Sequence, residues 1–239
     1  MRVEEVRATF NQTEKYLNRN TSILVRVNLI RNMLKTILYK NIIEIGCGDG
    51  SIGLSILDEN KELTLLDISE KMIVRAKEKT PSLLCRKVEY VVEDIYTYQP
   101  RKKYDLVICV GVLAHVPSIE DLLIKIGSIL SESGHLILQF TESHSLFGWF
   151  NYKFMNKTYG GYKVNKTCYR DLVPLLSKLN LKLISKKVYS GSAFLLSHIN
   201  PSLGYKFKLL TSRLLFPYIF SEVIILLERR GNKISQENL

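Results

Sequence analysis

The sequence predicts an α/β fold in which a mostly parallel sheet is covered by helices on both faces. Segments rich in β-branched and aliphatic residues alternate with segments of helical periodicity from residue 41 onward. The strand segments are almost continuously apolar, as in Tyr104 to Val110, and do not alternate with polar residues. That pattern marks strands buried on both faces, which needs helices on either side. Neither an internal repeat nor a low-complexity linker divides the 239 residues, so residues 1–239 are read as one domain, with 1–38 as a helical N-terminal extension.

The elements follow in order. Thr21-Ser22 precede Ile23, Val27, Ile30, Leu34 and Leu38, a helical spacing with an N-cap at its start. Asn41 to Ile45 reads as a buried strand stopped by Gly46, and residues 51–58 as a helix. Glu62 to Leu66 is a second strand ending at Asp67. Ser69 caps a helix that runs to about Lys79 before Pro81. Val88 to Val92 is a third strand, followed by Asp94, and Tyr104 to Val110 is a fourth. Ser118-Ile119-Glu120-Asp121 resembles a capping box opening a helix to about Leu130. Gly134 is expected to break the chain before a fifth strand, His135 to Phe140. Residues 141–166 are aromatic and aperiodic. A helix follows from about Thr167 to Leu179, with Pro174 either kinking it or sitting in its first turn. Leu181 to Tyr189 and Val223 to Glu228 are the last two strands.

Composition excludes several classes. Hydrophobic residues are 46% and charged residues 24%, an ordinary globular balance, which excludes intrinsic disorder and a coiled-coil rod. The cysteines Cys47, Cys85, Cys109 and Cys168 show no C-x-x-C spacing, so they read as reduced thiols and suggest no zinc site. No run approaches the roughly 18 apolar residues of a spanning helix, and the N-terminus carries Glu4 and Glu5 where a signal peptide needs an apolar stretch. The cytoplasm is the expected compartment. The net charge is +11. The basic residues form no tract, which reads as a solvated surface, with a nucleic-acid or anionic-membrane partner as the other reading.

The strongest chemical signal is Ile43-Glu44-Ile45-Gly46-Cys47-Gly48-Asp49-Gly50-Ser51. A strand runs through three glycines at alternate positions into a helix, so a ligand can lie against bare backbone. Asp67 closes the next strand, where an open α/β sheet places a carboxylate for the ribose hydroxyls of a nucleoside. Asp94 follows the third strand. The three strand ends make one crevice at the carboxyl edge of the sheet.

Glu44 to Gly50 is similar to the first motif of class I S-adenosylmethionine-dependent methyltransferases. Leu65-Leu66-Asp67-Ile68-Ser69 resembles the second motif and Val92-Glu93-Asp94-Ile95 the acidic third. Tyr104 to Cys109 with Leu113-Ala114-His115-Val116 resembles the fourth strand and its loop, and Gly134 to Leu138 the fifth. The resemblance covers about residues 41–140, the cofactor-binding core. It implies a Rossmann-like sheet of seven strands with the last antiparallel, and S-adenosyl-L-methionine as cofactor. It further implies that Gly46, Gly48 and Gly50 pass under the methionine part and that Glu44 orients that end. Asp67 would hold the ribose, Ile68 and Met72 would flank the adenine, and Asp94 and Ile95 would read its amine. Val110 would offer a carbonyl to the methionine ammonium.

The resemblance places His115 near the sulfonium, as a catalytic group or a cofactor contact. His144, beyond the fifth strand where acceptors enter, is a second candidate base. Glu142 and Tyr16 are weaker candidates, and His135 and His198 read as strand surface and loop. No Asp/Asn-Pro-Pro-Tyr motif follows the fourth strand, which argues against the subgroup that methylates base or glutamine amines. No metal site is expected. The reading is a methyltransferase of a small-molecule hydroxyl on a sugar, quinone-like, polyketide-like or lipid-linked acceptor. An RNA methyltransferase and a non-catalytic cofactor-binding protein are the alternatives. Residues 141–166 and 190–220 read as acceptor-side lid segments. In the second, Leu203, Phe207, Leu210 and Leu214 could form one helical face, which either completes the core or covers an apolar acceptor. A basic amphipathic surface there could also touch anionic lipid.

Overall fold

The computed structural model describes residues 2–12, 20–150, 153, 162–190, 200–212 and 221–230. Tyr16, His198, Leu214 and nearly half of the two lid segments lie outside them.

Seven strands form one sheet: β1 (Asn41–Ile45), β2 (Glu62–Asp67), β3 (Val88–Val92), β4 (Tyr104–Val110), β5 (Leu130–Thr141), β6 (Leu181–Tyr189) and β7 (Glu222–Arg229). Their order is β3-β2-β1-β4-β5-β7-β6. β7 runs antiparallel to β5 and β6, and the other pairings are parallel. The described helices are α1 (Arg2–Phe10), α2 (Asn20–Met33), α3 (Ser51–Ile56), α4 (Glu70–Lys79), α5 (Ile119–Ile129), α6 (Leu146–Phe150), α7 (Tyr169–Lys178) and α8 (Pro201–Thr211). None of them is long and apolar enough to cross a membrane.

The continuous apolar pattern of the strands has a direct cause. Ile43, Val107, Leu136 and Ile225 pack under α5 and α7, against Leu122, Ile126, Leu172 and Leu176. Their neighbours in sequence, Ile42, Leu106, Ile137 and Ile224, pack on the other face under α2, α3 and α4, against Val25, Ile30, Ile52 and Ile73. With both faces covered, alternate residues have no solvent to face. Truncating one of these side chains to alanine costs about 2–5 kcal/mol.

Ser69 and Ser118 cap α4 and α5 as predicted, accepting from the amides of Met72 and Asp121. Three expectations need correction. The buried stripe of α2 is Val25, Leu29, Ile30 and Met33; the helix ends at Met33, and Leu38, beyond it, is 94% exposed. Gly134 does not end the fifth strand. From Tyr104↔Leu130 to Leu106↔His135 the register advances two residues on β4 and five on β5, so the chain bulges and stays in the sheet. His135 is buried and not on the strand surface, because β5 is flanked by β4 and β7. Burial holds its imidazole below the usual value, against the pull of Glu228. Of the two placements left open for Pro174, the structure has it inside α7, past the first turn, where the helix forgoes one amide hydrogen bond.

Candidate active site

The carboxyl ends of β1, β2 and β4 share one edge, and the strand order switches direction between β1 and β4. A ligand crevice belongs at such a switch point. After Ile45 the chain turns through Gly46, Cys47, Gly48, Asp49 and Gly50 into α3. Gly46, Gly48 and Gly50 have φ of 64°, 55° and 71°, a left-handed conformation that side chains resist. Gly46 has a second reason to be glycine: a Cβ there would stand 2.5 Å from Val112 Cγ2, in the loop after β4. The loops after β1 and β4 therefore meet over bare backbone.

Asp67 ties this turn to β2. Its Oδ2 accepts from the Gly48 amide at 2.9 Å and its Oδ1 from the Ser69 amide at 2.8 Å. Burial pushes its carboxyl above the usual range, and those amides pull against the shift. Each oxygen keeps a lone pair for a further donor. Glu44 sits under the turn, fully buried, with Oε2 accepting from the Gly53 amide at 2.8 Å. Burial pushes its carboxyl up to about 8. Its described contact is with the first turn of α3. Asp94 is half-buried and accepts from the Tyr96 amide at 3.0 Å. Ile95 and Met72 are buried, and Ile68 is half-buried.

α1 roofs this edge. Arg7 Nε donates to the Ile68 carbonyl at 3.2 Å, and Ser69 Oγ donates to Asn11 Oδ1 at 2.6 Å. Val6, Tyr162 and Val164 form a small core with Phe10, Ile68 and Ala114 packed on it. His115 lies within this roof. Its Nδ1 is 2.8 Å from the Tyr162 hydroxyl, and the Phe10 ring meets it edge-on at 5.2 Å. Asn165 holds the same loop, donating from Nδ2 to the carbonyls of Leu113 and Val116 at 3.0 and 2.7 Å.

His144 has different surroundings. Its side chain is 75% exposed, with Nδ1 3.9 Å from Glu142 Oε1. Glu142 also accepts from the His144 and Tyr169 amides at 3.2 and 2.9 Å. The ligand atoms of Glu142, His144 and Cys168 lie within 4.8 Å of one another, a proximity that spacing along the chain does not reveal. Glu142 already serves the first turn of α7, which accounts for its position.

Sequence reasoning missed three residues here: Tyr162, Asn165 and Arg26. Arg26, on α2, donates from Nε to the Tyr189 hydroxyl at 3.1 Å and lies 3.6 Å from Glu222. Its Nη1 is 4.0 Å from where a Cβ on Gly111 would stand, which puts a guanidinium beside the Val110–Gly111 turn. A hollow lined by Val173, Leu183 and Arg230 opens at the start of β6 and the end of β7, the opposite edge of the sheet.

Residues 43–136 match the family described as methyltransferase domain. That segment is similar to a methyltransferase domain. Its matched span runs from the strand before the glycine turn to the fifth strand and includes each carboxylate of the crevice. Among curated relatives, malonyl-acyl-carrier-protein O-methyltransferase 2 of Ilyobacter polytropus is 36% identical over 99 residues, 41% of this chain and 38% of that protein. Ubiquinone biosynthesis O-methyltransferase of Nitrosomonas europaea is 33% identical over 97 residues, 39% of this chain and 40% of that protein. The chain thus spans about two fifths of the length of these relatives. Magnesium protoporphyrin IX methyltransferase of Synechocystis PCC 6803, with bound S-adenosylmethionine, shares the fold over 96% of this chain and 97% of its own, with a TM-score of 0.65 at 18% identity. The N-methyltransferase NodS of Bradyrhizobium japonicum WM9, in complex with S-adenosyl-L-homocysteine, shares it over 84% of each chain, with a TM-score of 0.57 at 16% identity.

Proposed function

We propose that the chain is an S-adenosyl-L-methionine-dependent methyltransferase of a small-molecule hydroxyl, on an apolar or lipid-linked biosynthetic intermediate, and that it works in the cytoplasm as a single unit. The observation that carries this is the turn at Gly46, Gly48 and Gly50, held in left-handed geometry and tied to Asp67 at the sheet's switch point. The residues fit the cofactor. A Cβ would fill the cradle at Gly46, and Asp67 is placed to accept from ribose hydroxyls. Ile68 offers an apolar flank, and Asp94 with the Ile95 amide would read the exocyclic amine. Arg26, beside the Val110–Gly111 turn, would pair with the α-carboxylate of the cofactor.

When bound, the cofactor supplies an electrophilic methyl group on a sulfonium. This chain's work is to align the acceptor oxygen with that methyl and to keep water out. The α1 roof does the second. For the first, His115 is the proposed base: the Tyr162 hydroxyl fixes its ring through Nδ1, and it sits on the loop after β4, at the same sheet edge as the glycine turn. His144, on the open surface, is the other candidate. The O-methyltransferase names of the two relatives above support an oxygen atom as the acceptor.

Calorimetry tests the reading. S-adenosylhomocysteine is expected to bind at micromolar level, and Asp67→Ala to weaken it by about 1.5–3 kcal/mol, the cost of losing hydrogen bonds to a charged group. Unchanged affinity in a folded variant removes the ribose assignment. Methyl transfer into purified transfer or ribosomal RNA would replace the small-molecule acceptor.

A further inference from the structure

An ordinary surface helix turns its apolar stripe inward. α8 packs Tyr205 and Leu209 on the core in this way but carries a second apolar stripe that faces outward. Gly204, Lys208 and Thr211 are buried against the body of the protein. The Lys208 ammonium donates to Ser22 Oγ of α2 at 2.8 Å, and Thr211 Oγ1 accepts from the Ser190 amide at 3.1 Å. Leu203, Phe207 and Leu210, spaced as one helical face, point outward with 51%, 37% and 55% of their surface exposed. The helix is firmly begun: Pro201 opens it, and Asn200 Oδ1 accepts from the amides of Ser202 and Leu203.

We propose that this outward face is a docking surface for an anionic lipid bilayer, with α8 lying in the plane of the headgroups. The charge of the segment selects that partner. From Leu172 to Ser221 the chain has 50 residues, seven of them Lys or Arg and none Asp or Glu. Lys206 is exposed on α8 itself. Lys187 of β6 is exposed and pairs with Ile224, whose side chain faces the α2 and α8 side of the sheet, so it rises on the same side. Apolar anchors flanked by cations, without acids, fit the interface of an anionic membrane. A second copy of the chain fits poorly. Three side chains at these exposures offer on the order of 250 Å², against roughly 800 Å² per partner in a stable interface, and two faces of +11 chains repel.

The inference stands apart from the methyl-transfer reading, since it needs neither cofactor nor acceptor. The full chain, without cofactor, is floated with vesicles of phosphatidylcholine alone and of phosphatidylcholine and phosphatidylglycerol in equal parts. Binding to the mixed vesicles, weakened by high salt and much lower on phosphatidylcholine, is expected. Phe207→Glu with Leu210→Glu is expected to lower the partition at least tenfold, and Lys206→Gln about fivefold, the loss of one lysine contact near the surface. Both variants change exposed positions, and unchanged circular dichroism and melting temperature confirm that they fold. Wild-type binding to neither vesicle, or full binding by the double glutamate variant, overturns the proposal. A dimer in sedimentation that the double variant loses overturns it in favour of a second copy.

Discussion

Glu44 gives the sharpest test of the physical account. Its carboxyl is fully buried, accepts one amide hydrogen bond, and has Asp49 and Asp67 as acidic neighbours. Burial is the largest cause of the rise to about 8, from an ordinary value of 4.5. A carboxyl whose folded value lies above its unfolded value favours folding when protonated. That contribution is complete below about pH 4.5 and is lost as the pH rises through about 8. The gap corresponds to about 5 kcal/mol at most. Glu44→Gln keeps an oxygen for the Gly53 amide and cannot ionise. Urea denaturation of both proteins between pH 5 and pH 9 isolates the residue, because other titrating groups are common to both. The stability of the wild type is expected to fall relative to the variant by about 3–5 kcal/mol across that range. Parallel stability curves would show that Glu44 ionises like a solvated carboxylate and that its burial carries no electrostatic cost.

Gly46→Ala meets both a left-handed backbone and Val112 Cγ2 at 2.5 Å, so it is expected to lower stability by about 1–3 kcal/mol. Adding Val112→Ala should recover the steric part, which thermal melting of the single and double variants will show. Tyr162→Phe removes the 2.8 Å hydrogen bond to His115, worth about 1 kcal/mol to folding. Turnover should then fall far more than cofactor affinity, and equal losses in the two would deny His115 its proposed role.

The parts of the site that could be read in the sequence are local. The glycine turn, Asp67 and Asp94 each follow a strand directly, so the apolar run and the residue that ends it lie side by side in the chain. The corrected elements depended on neighbours in space. His135 reads as polar surface on its own strand; its burial comes from β4 and β7 on either side. Arg26 and Tyr189 are 163 positions apart, and His115 and Tyr162 are 47 apart, with no periodicity to connect them. Arg26 left one trace, a cation within the apolar run of α2 with no acid four residues before or after it. α1 left less, because its burial rests on Val6 and on contacts with Ile68 and Ser69.

The position of α1 has a kinetic consequence. It is fastened to β2 through Ile68 and Ser69 and to the β4 loop through Phe10 and His115. A nucleoside entering at that edge, as the proposed function requires, would have to wait for these contacts to part. Association would then follow the opening rate of a door, saturating as ligand concentration rises and falling below that of an open groove, as when binding requires a conformational change. Product would leave through the same door. Arg7→Ala and Phe10→Ala should quicken entry and exit together in stopped-flow traces, changing the residence time more than the affinity.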